Sequence, residues 1–191
     1  MNFKAEIYRK TFHLLSLAIP ISYLFFTREQ MIVCLSIATF IIASIDSIRF
    51  ISVNANKIFM RFFSIILRVH EQKSISGATY LMASSLTVVL FFDRSIVITS
   101  ILFAVFCDSI AALIGRRFGR IHLFNKTLEG SLSFFITGGI IAYVMEPAAP
   151  EPGFIGAFVA AVVELLPIDV DDNFLIPIVS SITIYLCRGI L

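Results

Sequence analysis

The sequence has no Trp, only three Cys and few charged residues, which make up 15% of its 191 positions. The cysteines lie in or beside apolar stretches and form no C-x-x-C pair, so neither a disulfide framework nor a zinc site is favoured. The chain has no G-x-x-x-x-G-K-[ST] phosphate loop, and His70-Glu71 does not extend to H-E-x-x-H. The first apolar run lacks a small-x-small cleavage site and contains Pro20, so we expect it to be a retained span.

Apolar surface dominates the chain instead, since 58% of the residues are apolar and the mean hydropathy is +0.94. A soluble domain of this size rarely reaches that value, whereas long apolar runs are typical of polytopic helical membrane proteins. Short links between the runs imply antiparallel neighbours. We therefore predict an all-α integral membrane bundle, one catalytic domain over 1–191, with about seven transmembrane helices at 11–27, 31–48, 75–92, 95–114, 131–145, 153–168 and 173–190.

The basic residues are distributed unevenly along this predicted topology. Only Arg28, Arg94 and Arg188, of 15 Lys and Arg residues, fall on the side opposite the N-terminus. Because Lys and Arg favour the cytoplasmic side, we predict an integral protein of the cell (inner) membrane whose N-terminus and active site are cytoplasmic and whose C-terminus is outside. Most acidic residues gather on the same side, which indicates a cytosolic substrate.

Residues 57–69 predict an amphipathic helix separate from the spans. Lys57, Arg61, Ser64 and Arg68 recur at helical spacing, and Phe, Ile and Leu fill the opposite side. Such a helix is expected to lie in the cytoplasmic interface of the membrane. The alternative is a short connecting helix packed on the bundle.

The N-terminal residues Glu6, Arg9, Lys10 and His13 share one helix face by their spacing. This face continues into the first predicted span, so it is expected to point into the bundle or into a water-filled cavity. A basic flank that only sets membrane orientation is the alternative. An acid and a histidine on the same stripe favour the first interpretation.

Asp108 lies inside the fourth predicted span, followed by the small residues Ala111, Ala112 and Gly115, which admit a close neighbouring helix. A charge at bilayer depth costs roughly 2.5–3.5 kcal/mol on insertion scales, so an acid retained there indicates a functional site. Metal or phosphate binding is the favoured interpretation. A structural ion pair with an arginine is the alternative.

The loop G-R-R-F-G-R at 115–120 contains groups suited to phosphate. Gly115 and Gly119 let the backbone approach phosphate oxygens closely, and the guanidinium groups of Arg116 and Arg117 match them bidentately. The alternative partners are anionic lipid head groups.

The segment N-K-T-L-E-G-S at 125–131 continues this polar region. Lys126 is a candidate phosphate contact, and Glu129 a candidate ligand for metal or for an arginine. Thr127 or Ser131 is suited to cap the following helix, which requires no catalytic role.

A last acidic cluster combines Glu164 with D-V-D-D-N at 169–173. Asp171, Asp172 and Asn173 provide hard oxygen ligands suited to Mg²⁺. Helix capping is the alternative, but it explains only one or two of these residues. Asp46 and Arg49 fit equally well a salt bridge at a helix end or a part of the site.

Together, the patterns D-x-x-A-A-x-x-G-R-x-x-G, K-T-x-E-G-S and D-D-N-x-x-x-P resemble the CTP-dependent lipid kinases, which include dolichol kinase, phytol kinase and the CTP-dependent diacylglycerol kinases. The N-terminal R-K-x-x-H and the region of Glu71, Gly77 and Thr79 match as well. The resemblance runs over most of the chain. It implies a cytoplasmic nucleotide site with Mg²⁺ and transfer of a γ-phosphate to a lipid alcohol of the diacylglycerol, polyprenol or phytol type. CTP as the donor is implied by the resemblance alone.

These inferences assign residues to expected roles. Asp108, Lys126 and His13 are expected to be catalytic, with the proton acceptor left open between a carboxylate and His13. Mg²⁺ is expected at Asp108, Asp171, Asp172 and Asn173. The expected nucleotide or substrate contacts are Arg9, Lys10, Glu71, Gly115, Arg116, Arg117, Gly119, Thr127, Glu129 and Gly130. The expected partners are CTP or another nucleoside triphosphate, a lipid alcohol and the membrane, and no nucleic acid.

Two other functions fit parts of the sequence. Phosphatidate cytidylyltransferases share G-R-x-x-G and a K-T-x-E-G stretch, but they typically end in an H-G-G-x-x-D-R-x-D-S type signature, whereas this chain has D-V-D-D-N-F-L-I-P. An organic-anion carrier would place its charges near mid-bilayer on discontinuous helices. Here the charges are predicted at the cytoplasmic ends of helices, which favours a reaction site.

Overall fold

The computed structural model describes residues 3–64, 67, 71 and 74–190. These residues are nearly all helical, as predicted. The helices are α1 (Phe3–Leu14), α2 (Ala18–Phe25), α3 (Arg28–Ile51), α4 (Val53–Phe63), α5 (Gly77–Phe91), α6 (Arg94–Leu102), α7 (Asp108–Phe118), α8 (Leu128–Met145), α9 (Glu151–Leu165) and α10 (Asp172–Arg188). A 3₁₀ turn, Leu15–Leu17, joins α1 to α2, and a π-helical segment, Phe103–Cys107, joins α6 to α7.

Polar side chains fix where many of these helices begin. Thr27 and Gln30 form a reciprocal capping box at α3. Ser52, Ser76 and Thr127 accept backbone N–H groups at the starts of α4, α5 and α8. Each such cap satisfies a backbone donor that has no partner within the helix, so the sequence sets these boundaries locally.

The seven predicted apolar segments all fall on helices, but their number as membrane spans is not established. Among the described residues, three helical stretches are long and apolar enough to cross a membrane: Arg28–Ile51, Arg94–Phe118 and Leu128–Met145. Gly77–Phe91 is apolar but shorter. The structure therefore supports a helical membrane protein, without confirming seven spans.

The central helix of the bundle is the continuous stretch α6, π segment and α7. Most of its apolar window is buried, unlike that of α3 or α8. Ile96, Val97, Ile101 and Phe103 are fully buried, and the Phe103 ring meets Phe134 of α8 edge-on. The π segment ends directly before Asp108, so it determines which way that acid faces.

Helices α8 and α9 approach closely through small residues. A Cβ added to Gly138 would lie 2.8 Å from the Cβ of Ala157 and 3.5 Å from the Phe103 ring. This distance is shorter than van der Waals contact, so any side chain there must separate the helices. Small residues at such crossings are typical of helix packing in membranes.

We expect Gly138→Val to lower the free energy of unfolding by about 1–3 kcal/mol, because it overpacks this crossing. Thermal unfolding in detergent measures the effect. Gly189→Val is the matched control, since the nearest atom to a Cβ there is 3.6 Å away and that helix end is open. Equal stability of the two variants would show that α8 and α9 are not so tightly packed.

The predicted loop at 115–120 is wrong in its first part, because residues 115–118 belong to the last turn of α7. A short hairpin then connects α7 to α8. Strands β1 (His122–Leu123) and β2 (Lys126–Thr127) pair antiparallel, with Leu123 opposite Lys126. The two residues of the turn are Phe124 and Asn125, and Phe124 has a φ of 55°. A left-handed backbone costs a residue with a Cβ about 1–2 kcal/mol, so this turn is strained.

Helix α4 carries the predicted amphipathic pattern but covers Val53–Phe63 instead of 57–69. Arg68 of that prediction lies outside the described residues, as does His70. Ile58 and Phe62 are largely exposed on α4. The guanidinium of Arg49, from the end of α3, lies 4.8 Å from the centre of the Phe59 ring and holds α4 against α3.

Candidate active site

A cavity of about 910 Å³ opens at one end of the bundle, between α1, α7, the hairpin and the segment that joins α9 to α10. It brings together side chains from distant parts of the sequence. The expected site residues that line it are Arg9, Lys10, Asp108, Gly115, Arg116, Gly119, Lys126, Thr127, Gly130, Asp171 and Asp172. Most of the predicted site residues thus line one cavity.

Other expected residues lie near the cavity without lining it. His13 is behind Asp108, with Nε2 at 3.8 Å from Asp108 Oδ2 and 3.3 Å from the carbonyl oxygen of Ala104. Arg117 lies over the Phe118 ring. Glu129 accepts the backbone N–H groups of Arg120 and Ile121, so it stabilises the loop before the hairpin.

Glu71 and Asn173 are also outside the cavity wall, although both are buried. They lie beside the start of α5, where a Cβ on Gly77 would be 3.1 Å from Glu71 Oε1 and 2.6 Å from Asn173 Nδ2. The absence of a side chain at Gly77 lets α5 and α10 meet there. The Asn173 backbone oxygen accepts the Ser84 hydroxyl at 2.7 Å, which strengthens this contact.

The N-terminal helix docks on α7 through buried ions. Lys10, only 3% exposed, donates to the Asp108 carboxylate. Glu6 is fully buried and pairs with Arg9 and with Arg116, whose Nη2 lies 3.1 Å from Glu6 Oε2. The predicted polar face of α1 therefore points into the protein. A basic flank that only sets membrane orientation, the alternative, does not explain why Glu6 and Lys10 are buried.

Lys126 is surrounded by acids from two other helices. Its Nζ is 2.9 Å from Asp172 Oδ2 on α10 and 2.9 Å from Glu164 Oε1 on α9. Ser131 donates to the second oxygen of Glu164 at 3.1 Å. Burial alone lowers the pKa of Lys126, but the charges of Asp172, Glu164 and Asp108 outweigh it and raise that pKa above its ordinary value. Lys126 is therefore a cation at neutral pH.

The acidic residues at the start of α10 have different roles: one caps the helix and the others line the cavity. Asp171 caps the helix by accepting the Asn173 N–H at 2.9 Å. Asp172 faces Lys126, and Asp169 also lines the cavity. The capping interpretation is therefore confirmed for Asp171, whereas metal binding by Asp172 stays a prediction.

The carboxylates of the cavity suit a metal ion that is shared with a substrate. The described residues contain no group of three His, Cys, Asp or Glu that would hold a metal by themselves. Mg²⁺ usually binds through one or two carboxylates, and substrate phosphates and water complete its coordination. Asp108 and Asp172 fit that requirement.

Asp46 and Arg49 form a separate buried network. Asp46 accepts the Ser76 N–H and hydroxyl at 2.8 Å and the Thr79 hydroxyl at 2.7 Å, while Arg49 Nε lies 2.8 Å from Asp46 Oδ1. Neither residue lines the cavity. Their contacts favour the salt bridge at a helix end, which here anchors the start of α5.

The cavity also has wall residues that the sequence did not single out as a site. Tyr80, His122, Phe124 and Asn125 line it. Aromatic and amide side chains are common everywhere in proteins. Only their position beside the charged residues of the cavity identifies them as part of the site.

The chain is similar in sequence to several known proteins. The chain is 31% identical to an uncharacterized protein of Rickettsia prowazekii over 75% of this chain and 72% of that protein. It is 30% identical to CTP-dependent diacylglycerol kinase 1 of Schizosaccharomyces pombe, over 74% and 73%, and 28% identical to CTP-dependent diacylglycerol kinase 1 of Saccharomyces cerevisiae, over 94% and 72%. No family model and no solved structure matches the chain.

Proposed function

Because the chain belongs to the family of CTP-dependent lipid kinases, we propose that it transfers the γ-phosphate of CTP to the hydroxyl group of a membrane lipid, with Mg²⁺, in the cavity beside α7. Its acceptor in this proposal is an aliphatic lipid alcohol such as diacylglycerol, a polyprenol or phytol. The observation that carries the proposal is the convergence of Lys10, Asp108, Lys126 and Asp172 on one hollow.

The ion pairs of the cavity are arranged for an exchange of partners. Lys10 and Lys126 are now paired with Asp108 and Asp172. In the proposed complex the two ammonium groups turn to phosphate oxygens of the nucleotide. The carboxylates of Asp108 and Asp172 would then hold Mg²⁺, which would neutralise phosphate charge as it does in other phosphoryl transfers.

The reaction needs little covalent chemistry from the protein. The lipid oxygen forms a bond to the γ-phosphorus while the bond from that phosphorus to the β–γ bridging oxygen breaks, and CDP leaves. Lys126 and Arg116 stabilise the charge that develops on the transferred group. We propose that the hydroxyl proton passes to a carboxylate of the cavity. In support, His13, the other acceptor considered, lies beside Asp108 and does not line the cavity.

The membrane arrangement is part of the proposal. Seven helical units cross the bilayer, with the cavity and the N-terminus on the cytoplasmic side, and α4 lies at the interface where lipid enters. Three stretches that are apolar and long enough to span support this arrangement. The arginines assigned to the outer side lie at helix ends and bind neighbouring segments: Arg94 donates to the Phe26 carbonyl oxygen, Arg28 to the Val89 carbonyl oxygen and Arg188 to the Ser95 hydroxyl.

Isotope transfer tests the proposed reaction. Detergent-purified protein is incubated with Mg²⁺, phosphatidate, a panel of lipid alcohols and CTP labelled at the α or the γ position. We expect a lipid alcohol to gain the γ label only, and chelation of Mg²⁺ with EDTA to remove the signal. A parallel reaction with ATP establishes donor preference.

The same reaction separates the alternatives. Incorporation of the α label into phosphatidate would identify a cytidylyltransferase and refute the kinase proposal. The absence of any labelled lipid, together with uptake of an organic anion into vesicles, would indicate a carrier. The position of the cavity at one end of the bundle disfavours a carrier, whose site is expected near mid-membrane.

A further inference from the structure

We propose that the turn of the β1–β2 hairpin is the nucleobase site of the donor: the cytosine ring stacks on Phe124, and the amide of Asn125 hydrogen-bonds to its amino edge. The inference rests on the proposed function in one respect, namely that a nucleotide occupies the cavity. It adds a base-recognition site, which no sequence motif of the chain provides.

The conformation of the turn is the first argument. Two-residue hairpin turns with a positive φ at the first central position normally have Gly, Asn or Asp there. In this turn Phe124 occupies that position, with a φ of 55°. Asn tolerates a positive φ better than Phe does, yet Asn125 occupies the second central position. A bulky aromatic residue held in an unfavourable conformation is typical of a functional constraint.

The exposure of Phe124 is the second argument. Its side chain is 65% exposed and lines the cavity, so it contributes little to the hydrophobic core. Base stacking on an aromatic ring requires such an open face. His122 and Asn125, which line the cavity beside it, provide polar groups. The Asn125 amide can donate and accept at once, which matches the amino group and ring nitrogen of cytosine.

The position of the turn relative to the phosphate-binding residues is the third argument. Phe124 precedes Lys126 by two residues, and Lys126 is fixed by Asp172 and Glu164 at 2.9 Å each. A nucleotide whose phosphates meet Lys126 therefore has its base within reach of the turn. In this arrangement the hairpin contacts the phosphates of the nucleotide through Lys126 and its base through Phe124.

Insertion of Phe124 into lipid is the competing explanation for an exposed aromatic residue, and Phe124→Leu separates the two. Leucine retains an apolar side chain for lipid contact but has no aromatic face for stacking. Phe118→Leu is the matched control, since Phe118 is 60% exposed near the same loop but does not line the cavity. Phe124→Gly is a second variant, which favours the positive φ of the turn and so retains the fold.

Calorimetry of the purified protein with Mg²⁺ tests the proposal by titrating CTP and inorganic triphosphate separately. We expect Phe124→Leu and Phe124→Gly to weaken CTP binding by roughly 5- to 150-fold, the range of one lost base stack. Their binding of triphosphate and the CTP affinity of Phe118→Leu should equal those of the unaltered protein. Asn125→Ala should weaken CTP binding and leave triphosphate binding unchanged, because only the hydrogen bonds to the base are lost.

Three results would overturn the proposal: unchanged CTP affinity in both Phe124 variants, an equal loss of triphosphate binding, or an unaltered protein that binds CTP no more tightly than triphosphate. Because binding is measured without turnover, these results are independent of the transfer assay. A protein that binds CTP through Phe124 but moves no label would refute the kinase reaction and leave the base site standing.

Discussion

Replacing Asp108 by Asn is expected to lower the rate of phosphoryl transfer by at least about a hundredfold, the scale of losing one preorganised electrostatic contact. In the proposed reaction the Asp108 carboxylate would be a ligand of Mg²⁺, and an amide is a poor substitute for that charge. Transfer of the γ label from CTP to lipid, measured at saturating substrate, gives the rate. Asp93→Asn, at the other end of the same continuous helix and exposed, should retain full activity.

Folding must be controlled in this experiment, because Asp108 is the buried partner of Lys10. Removal of one member of a buried ion pair typically costs about 3–5 kcal/mol, whereas replacement of both by apolar residues is often tolerated. The double variant Lys10→Met/Asp108→Leu should therefore unfold at a temperature near that of the unaltered protein, yet transfer no phosphate. Normal turnover by Asp108→Asn would remove Asp108 from the proposed machinery.

Lys126→Ala is expected to reduce kcat by about 10²- to 10³-fold, because a cation that stabilises charge on the transferred group is lost. Lys126→Arg should restore only part of the rate, since a planar guanidinium does not reproduce the compact ammonium between Asp172 and Glu164. Single-turnover measurements with γ-labelled CTP separate this loss from slower product release.

Lys57→Ala provides the control for Lys126, because Lys57 is an exposed residue of α4 outside the cavity. It should leave kcat unchanged. A Lys126→Ala variant with a raised KM for CTP and a normal kcat would contradict the assigned role. Such a result would mean that Lys126 binds the ground state and the transition state equally well.

Local patterns were sufficient to predict most of the helical segments and the polar face of α1, but not the bounds of α4. Apolar runs and capping residues act over a few positions, so the starts of α3, α5 and α10 follow from the sequence nearby. The spacing of Glu6 and Lys10 likewise placed both on one face, and both are buried. The number of spans was less predictable, because several helices are near the minimum length for crossing a bilayer.

The features of the site that depend on tertiary contacts could not be predicted from the sequence. The pairing of Lys126 with Asp172 depends on the way α10 packs against the rest of the bundle, and the two residues are 46 positions apart. Phe124 gave no indication of a left-handed turn, since Phe has no preference for that conformation. Asp171 and Asp172 are adjacent and chemically alike, yet one caps a helix and the other faces Lys126.

The π segment at Phe103–Cys107 has a consequence for comparing this chain with its relatives. A π turn accommodates one residue more than an α turn, which rotates everything after it by roughly 100°, the angle of one α-helical residue. A helical wheel drawn through α6 and α7 as one ideal helix would therefore assign Asp108 to the wrong side. In a relative whose helix lacks the extra residue, the acid equivalent to Asp108 must face a different neighbouring helix, unless an insertion elsewhere in that helix restores the rotation.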